Sequence, residues 1–217
     1  MKKFARFPIS LALGTAVLVS PAISLTASLP VSAAAAASAP TSVTPAADLR
    51  TTMAKVYGEH AYETMIVMQK QFDASEAAGE ASVLLGQNGN RIYGMIADVY
   101  GVEKASKFGA SWTLYNNNLK VYGAAAREND TSGKKKASSN MRTHIANSVK
   151  SLHAVNSRID ADRLEQDLNA YTDLLLKSCD AYANGRYDDA YSAAHDAYTR
   201  SANIGASLAT AITAQSP

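Results

Sequence analysis

The stretch MAKVYGEHAYETMIVM, residues 53–68, decides the fold. Met53, Val56, Tyr57, His60, Thr64, Val67 and Met68 recur at steps of three and four, the spacing of one helical face. Strict alternation of apolar and polar residues, the mark of a half-buried strand, is absent here and along the rest of the chain. Thr44-Pro45 upstream reads as an N-cap followed by proline at the first helical position. No further proline occurs until after Gln215. Alanine, leucine and methionine at helical spacing fill the interval, and the chain is expected to be all-α.

Overlaying the apolar faces exposes an internal repeat. Met53, Phe108 and Leu164 correspond, as do Tyr57, Trp112 and Leu168, then His60, Tyr115 and Tyr171, then Thr64, Leu119 and Leu175. The step is about 55 residues each time, a little longer than the roughly 20–50 residues usual for stacked supersecondary repeats. Turn-rich segments punctuated by Gly79, Gly133 and Gly185 follow each of these helices. A unit of this size cannot bury its apolar face alone and must stack on its neighbours. The spacing predicts an elongated bundle of about six helices, near 46–75, 80–100, 103–129, 136–156, 160–184 and 187–214. They pair as three antiparallel hairpins, near 46–100, 103–156 and 160–214, within one domain over 40–217. Asp160 is the expected N-cap of the fifth helix and Gly101 the stop of the second. The GQNGN run at 86–90 marks a point where the second helix could kink or break, because interior glycine is about 1 kcal/mol worse than alanine.

The N-terminus carries a different message. Lys2, Lys3 and Arg6 precede an uncharged apolar run and a cluster of small residues up to Ala39. This is the pattern of a secretory signal, 1–39, and Pro21 and Pro30 interrupt it as they would not a membrane span. No later apolar run reaches the roughly 20 residues that a spanning helix needs. The mature chain is expected to be extracytoplasmic, without a lipobox or an evident wall anchor. Loss of the three basic residues takes the formal charge from +2 to −1, which leaves no footprint for nucleic acid. The one basic run, Lys134 to Lys136, follows Thr-Ser-Gly and reads as a solvated helix start. The single cysteine, Cys179, shares a helical face with Leu175 and Tyr182 and reads as a small buried side chain.

Chemistry is sparse. There is no Gly-rich phosphate loop and no Gly-x-Ser-x-Gly elbow, and no catalytic residue is assigned. The repeat places His60, Tyr115 and Tyr171 in one layer, with Glu63 and Asn118 three residues on from the first two. These five form the expected polar core layer and possible ligand site, in which hydroxyl, imidazole and amide groups satisfy one another. No cofactor is expected. The alternative is a transition metal held by His60, Glu63 and His153, with His144 and His195 as further imidazoles.

With these residues in place, the chain resembles a group of uncharacterised exported all-helical bacterial proteins. The resemblance covers about 46–213 and rests on LRTTMAKVYGEH, on VYGVEKASKFGASW (99–112) and on DAYANGRYDDAYSAAHDAY (180–198). Some members carry a copper amine oxidase-like label. The chain has neither the Asn-Tyr dipeptide that yields the quinone of such oxidases nor their His-x-His copper pair. The resemblance implies histidine where Tyr115 and Tyr171 stand and near Arg200, so only His60 matches a histidine site. GRYDDA at 185–190, with Ala194 and Tyr198, also resembles the turn of a tetratricopeptide hairpin. The tetratricopeptide period is much shorter than the one found here.

The expected function is a non-enzymatic exported bundle that binds a protein or small ligand at or outside the cell envelope. The alternative is a metal-handling bundle anchored at His60 and Glu63. A scaffold working through the Gly185 hairpin would require an exposed Tyr187–Tyr191 edge.

Overall fold

The computed structural model describes residues 44–215, so the segment read as a signal, 1–39, lies outside the described residues. Six helices follow one another: α1 Pro45–Phe72, α2 Ala78–Tyr100, α3 Val102–Arg127, α4 Thr131–Val155, α5 Ala161–Ala183 and α6 Tyr187–Thr213. There is no strand among the described residues. The protein is an all-α bundle, and none of its described helices is long and apolar enough to cross a membrane.

Side-chain caps start three of the helices. Thr44 Oγ1 accepts from Ala47 N at 3.2 Å, and Asp130 and Asp160 accept from Gly133 N and Arg163 N at 2.9 and 3.0 Å. Capping by Asp130 starts α4 at Thr131, ahead of the expected 136, and draws Lys134 to Lys136 into the helix. Lys134 then pairs with Asp180 of α5 at 2.8 Å.

The ends of α1, α3 and α5 share one device. In each, the residue after the C-cap turns left-handed: Ala74 at φ 49°, Asn129 at φ 54° and Gly185 at φ 70°. Paired backbone bonds close each end, Ser75 N to Lys70 O, Asp130 N to Ala125 O and Arg186 N to Ala181 O, at 2.9–3.0 Å. Each is a Schellman motif, which satisfies carbonyls the helix end would leave unpaired. Gly79 and Gly133 do not make these turns. Both lie inside helices, and only Gly185 plays the expected part.

Gly101, at φ 86°, is the sole residue between α2 and α3. The GQNGN run does not break α2, which is continuous from Ala78 to Tyr100. Asn88 there is fully buried and donates to Val56 O of α1 at 3.0 Å, fixing the helix to its neighbour.

Packing divides the helices into two sets. α1, α3 and α5 are mutual neighbours and form the interior. α2 lies against α1 and α3, α4 against α3 and α5, and α6 against α5 and α1. One apolar core runs through the interior set, with Met53, Phe108, Trp112, Leu119, Leu168 and Leu175 among its members. At the α1–α6 seam the backbones approach closely. A Cβ at Gly205 would collide with the Met53 carbonyl, and Ser201 Oγ donates to Tyr57 O at 2.6 Å.

Candidate functional site

The interior helices bring His60, Tyr115 and Tyr171 together at mid-height. His60 is fully buried, and both its ring nitrogens are engaged: Nδ1 with Tyr171 Oη at 2.8 Å and Nε2 with Asn116 Oδ1 at 2.9 Å. An amide oxygen only accepts, so Nε2 carries the proton. Nδ1 therefore accepts from the Tyr171 hydroxyl. Burial lowers the His60 pKa from 6.5 to about 4, so the ring is neutral. Tyr115 Oη meets Thr172 Oγ1 at 2.9 Å, and Thr172 in turn donates to Leu168 O. Burial pushes both tyrosine hydroxyls well above their ordinary range. The Thr64 hydroxyl lies beside Tyr171 without closing a bond of ordinary geometry. Trp112 flanks the layer, its ring 5.0 Å from His60 and 5.1 Å from Tyr115.

Two of the expected members sit elsewhere. Asn118 is half-buried on the α4 side, donating to Leu114 O and accepting from Asn140 Nδ2 at 3.1 Å. Glu63 faces α2, where Arg91 pairs with it at 3.3 Å and with Glu59 at 3.0 Å. Burial raises the Glu63 carboxyl, and Arg91 works against that shift. The layer recruits the next residue along instead, Asn116 and Thr172. An interior helix has neighbours on several sides, so residues i and i+1, about 100° apart, are both enclosed. The i+3 rule used for the sequence suits a helix with a single buried face. The repeat overlay itself, shifted by one position, reads Ala61, Asn116 and Thr172, and would have found both.

His153 does not join His60 and Glu63. It lies on the last turn of α4, where Nδ1 bonds Ile159 O at 2.8 Å. Asn140 faces Asn118 across the antiparallel α3–α4 pair, so His153, further along α4, stands opposite Ala105. Ala105 is about 15 Å along the α3 axis from Tyr115. Counted from Gly79 and Gly133 as the turns, His60 and His153 fall at similar heights, but both glycines lie inside helices. Among the described residues no three His, Cys, Asp or Glu side chains gather as a metal site. His195 is exposed. Cys179 is buried and its thiol is pushed up to about 12.

Two adjoining concavities lie between α5 and α6, a region the sequence did not single out. One, of about 480 Å³, runs from Arg158 and Ile159 to Ala214 over a floor of Leu164, Ile204 and Leu208. A second, more polar one of about 540 Å³ continues it past Asp167, His195 and Arg200. Asp167 holds both Arg163, at 2.8 Å, and Arg200, at 2.9 Å, so the two guanidinium groups share one carboxylate and this cluster keeps an excess of positive charge. The Tyr187–Tyr191 edge is exposed, at 54% and 53%.

Compared with family models, curated proteins and solved structures, the chain has no match.

Proposed function

We propose that the chain is an exported, non-enzymatic bundle of three repeated helical hairpins that holds a small amphipathic ligand between α5 and α6. The observation that carries this reading is the groove. Its volume of about 480 Å³ lies in the range of small-molecule sites, and an apolar floor with a few charged groups at the rim is their usual composition. An apolar body would lie on Leu164, Ile204 and Leu208, and an anionic head would meet Arg158 at the mouth.

The three Schellman turns at Ala74, Asn129 and Gly185 keep the step of about 55 residues seen in the apolar faces and support the hairpin repeat. The buried state of His60 and Cys179 supports binding over catalysis, because neither presents a base or nucleophile to a substrate. Export rests on the basic, apolar and small-residue succession over 1–39. The layer of His60, Asn116, Tyr115, Tyr171 and Thr172 serves to fix the register of helices whose apolar stripes are otherwise interchangeable.

Calorimetric titration with decanoate tests the reading. Ser207 is exposed and lines both halves of the groove, so Ser207→Phe should fill it without touching the core. The expected result is saturable binding by the wild type and at least roughly tenfold weaker binding by S207F, about 1.4 kcal/mol. Equal binding by the two proteins would rule the groove out.

A further inference from the structure

The GQNGN run has no role in the polar layer or in the α5–α6 groove, yet it sits directly beside the layer. Gly86 and Gly89 open a narrow cleft of about 140 Å³ between α2 and α3, walled by Asn90, Thr113, Asn117 and Lys120. Asn116, 7% exposed, closes its inner end. The amide oxygen of Asn116 is taken by His60 Nε2, which leaves its Nδ2 hydrogens directed at the notch above Gly89. A Cβ at Gly89 would stand 2.9 Å from that Nδ2 and 3.9 Å from Trp112 Nε1. The indole N–H of Trp112 is itself buried and without a partner. One donor in the cleft wall, Asn116 Nδ2, and a second just behind it, Trp112 Nε1, thus border the notch that Gly89 leaves open. Native proteins rarely bury donors unpaired unless something supplies the acceptor.

The charge of the cleft selects the acceptor. Lys120 is the one charged residue in its wall, and no carboxylate lines it. At about 30 Å³ per water the space equals some four or five waters, which limits the occupant to a few heavy atoms. We propose that the α2–α3 cleft is a binding site for a small monocarboxylate, with Asn116 Nδ2 donating to the carboxylate and Lys120 pairing with its charge. His60 is a positioning residue here: its Nε2–H holds the Asn116 oxygen and so aims the amide nitrogen outward.

Trp112 is the only tryptophan, so the emission reports on the interior behind this cleft and the adjoining layer. The full chain is titrated with sodium lactate and with sodium acetate, against sodium chloride at matched ionic strength. The expected result is a saturable change with the carboxylates and none with chloride. Lys120→Gln, on a half-buried helix position, should weaken the response about tenfold, as loss of a charged partner does. Gly89→Ala should abolish it, and Ser207→Phe, in the distant groove, should leave it intact. A response to chloride equal to that to lactate would overturn the site. So would no saturable response to either carboxylate, or a response unchanged in both K120Q and G89A. Because S207F is the variant that tests the α5–α6 groove, failure of one site leaves the other separately readable.

Discussion

His60 concentrates the electrostatics of the fold. Unfolded, it titrates near its ordinary 6.5; folded, burial holds it at about 4. The folded state therefore binds fewer protons between those values, and stability rises with pH there. The contribution is complete above the unfolded value, begins to fade as pH falls below 6.5, and is gone once pH passes about 4. A shift of this size is worth about 3 kcal/mol. Urea unfolding from pH 7 to pH 4 should show a loss of that order in the wild type and a flatter profile in His60→Gln. Equal slopes in both proteins would mean that His60 is not the group responsible. Ala74 offers a second test at this scale. An exposed alanine at φ 49° is held in a conformation that glycine adopts freely. Ala74→Gly should stabilise the protein by about 1 kcal/mol, and Gly185→Ala should destabilise it by a similar amount. Melting temperatures moving in the same direction in both variants would contradict the account of these turns.

Several elements were legible in the sequence from their caps, although Asp130, the N-cap of α4, went unread. Thr44-Pro45, Asp160 and Gly101 end or start helices as their chemistry predicts. Two turns were harder to place because Ala74 and Asn129 occupy the left-handed position where glycine is the usual signal. The sequence offered Gly79 and Gly133 nearby, and both belong to helices. That displacement carried His153 to the wrong height. Asn116 and Thr172 were missed for another reason: an interior helix encloses adjacent positions, and a one-faced pattern cannot show that. Close backbone approach is equally silent in sequence. Gly205 faces the Met53 carbonyl across the α1–α6 seam, so a methyl group there must separate the helices. Gly205→Ala should destabilise by about 2 kcal/mol despite its better helix propensity. A stabilised G205A would show that the seam is looser than the packing implies.

For the whole molecule, the apolar period and the absence of internal proline carried the fold class. The arrangement of the six helices, three inside and three over the seams between them, follows from each interior helix having apolar or neutral groups on several sides. The groove between α5 and α6 was not legible, because Leu164 read as an ordinary core position and only its placement opposite Leu208 creates a concavity. The most direct test of its role is a nuclear magnetic resonance titration of the full chain with decanoate. The account predicts saturable shift changes confined to residues around Leu164, Ile204 and Leu208, absent in Ser207→Phe. Changes scattered over the surface, or none at saturating decanoate, would contradict it.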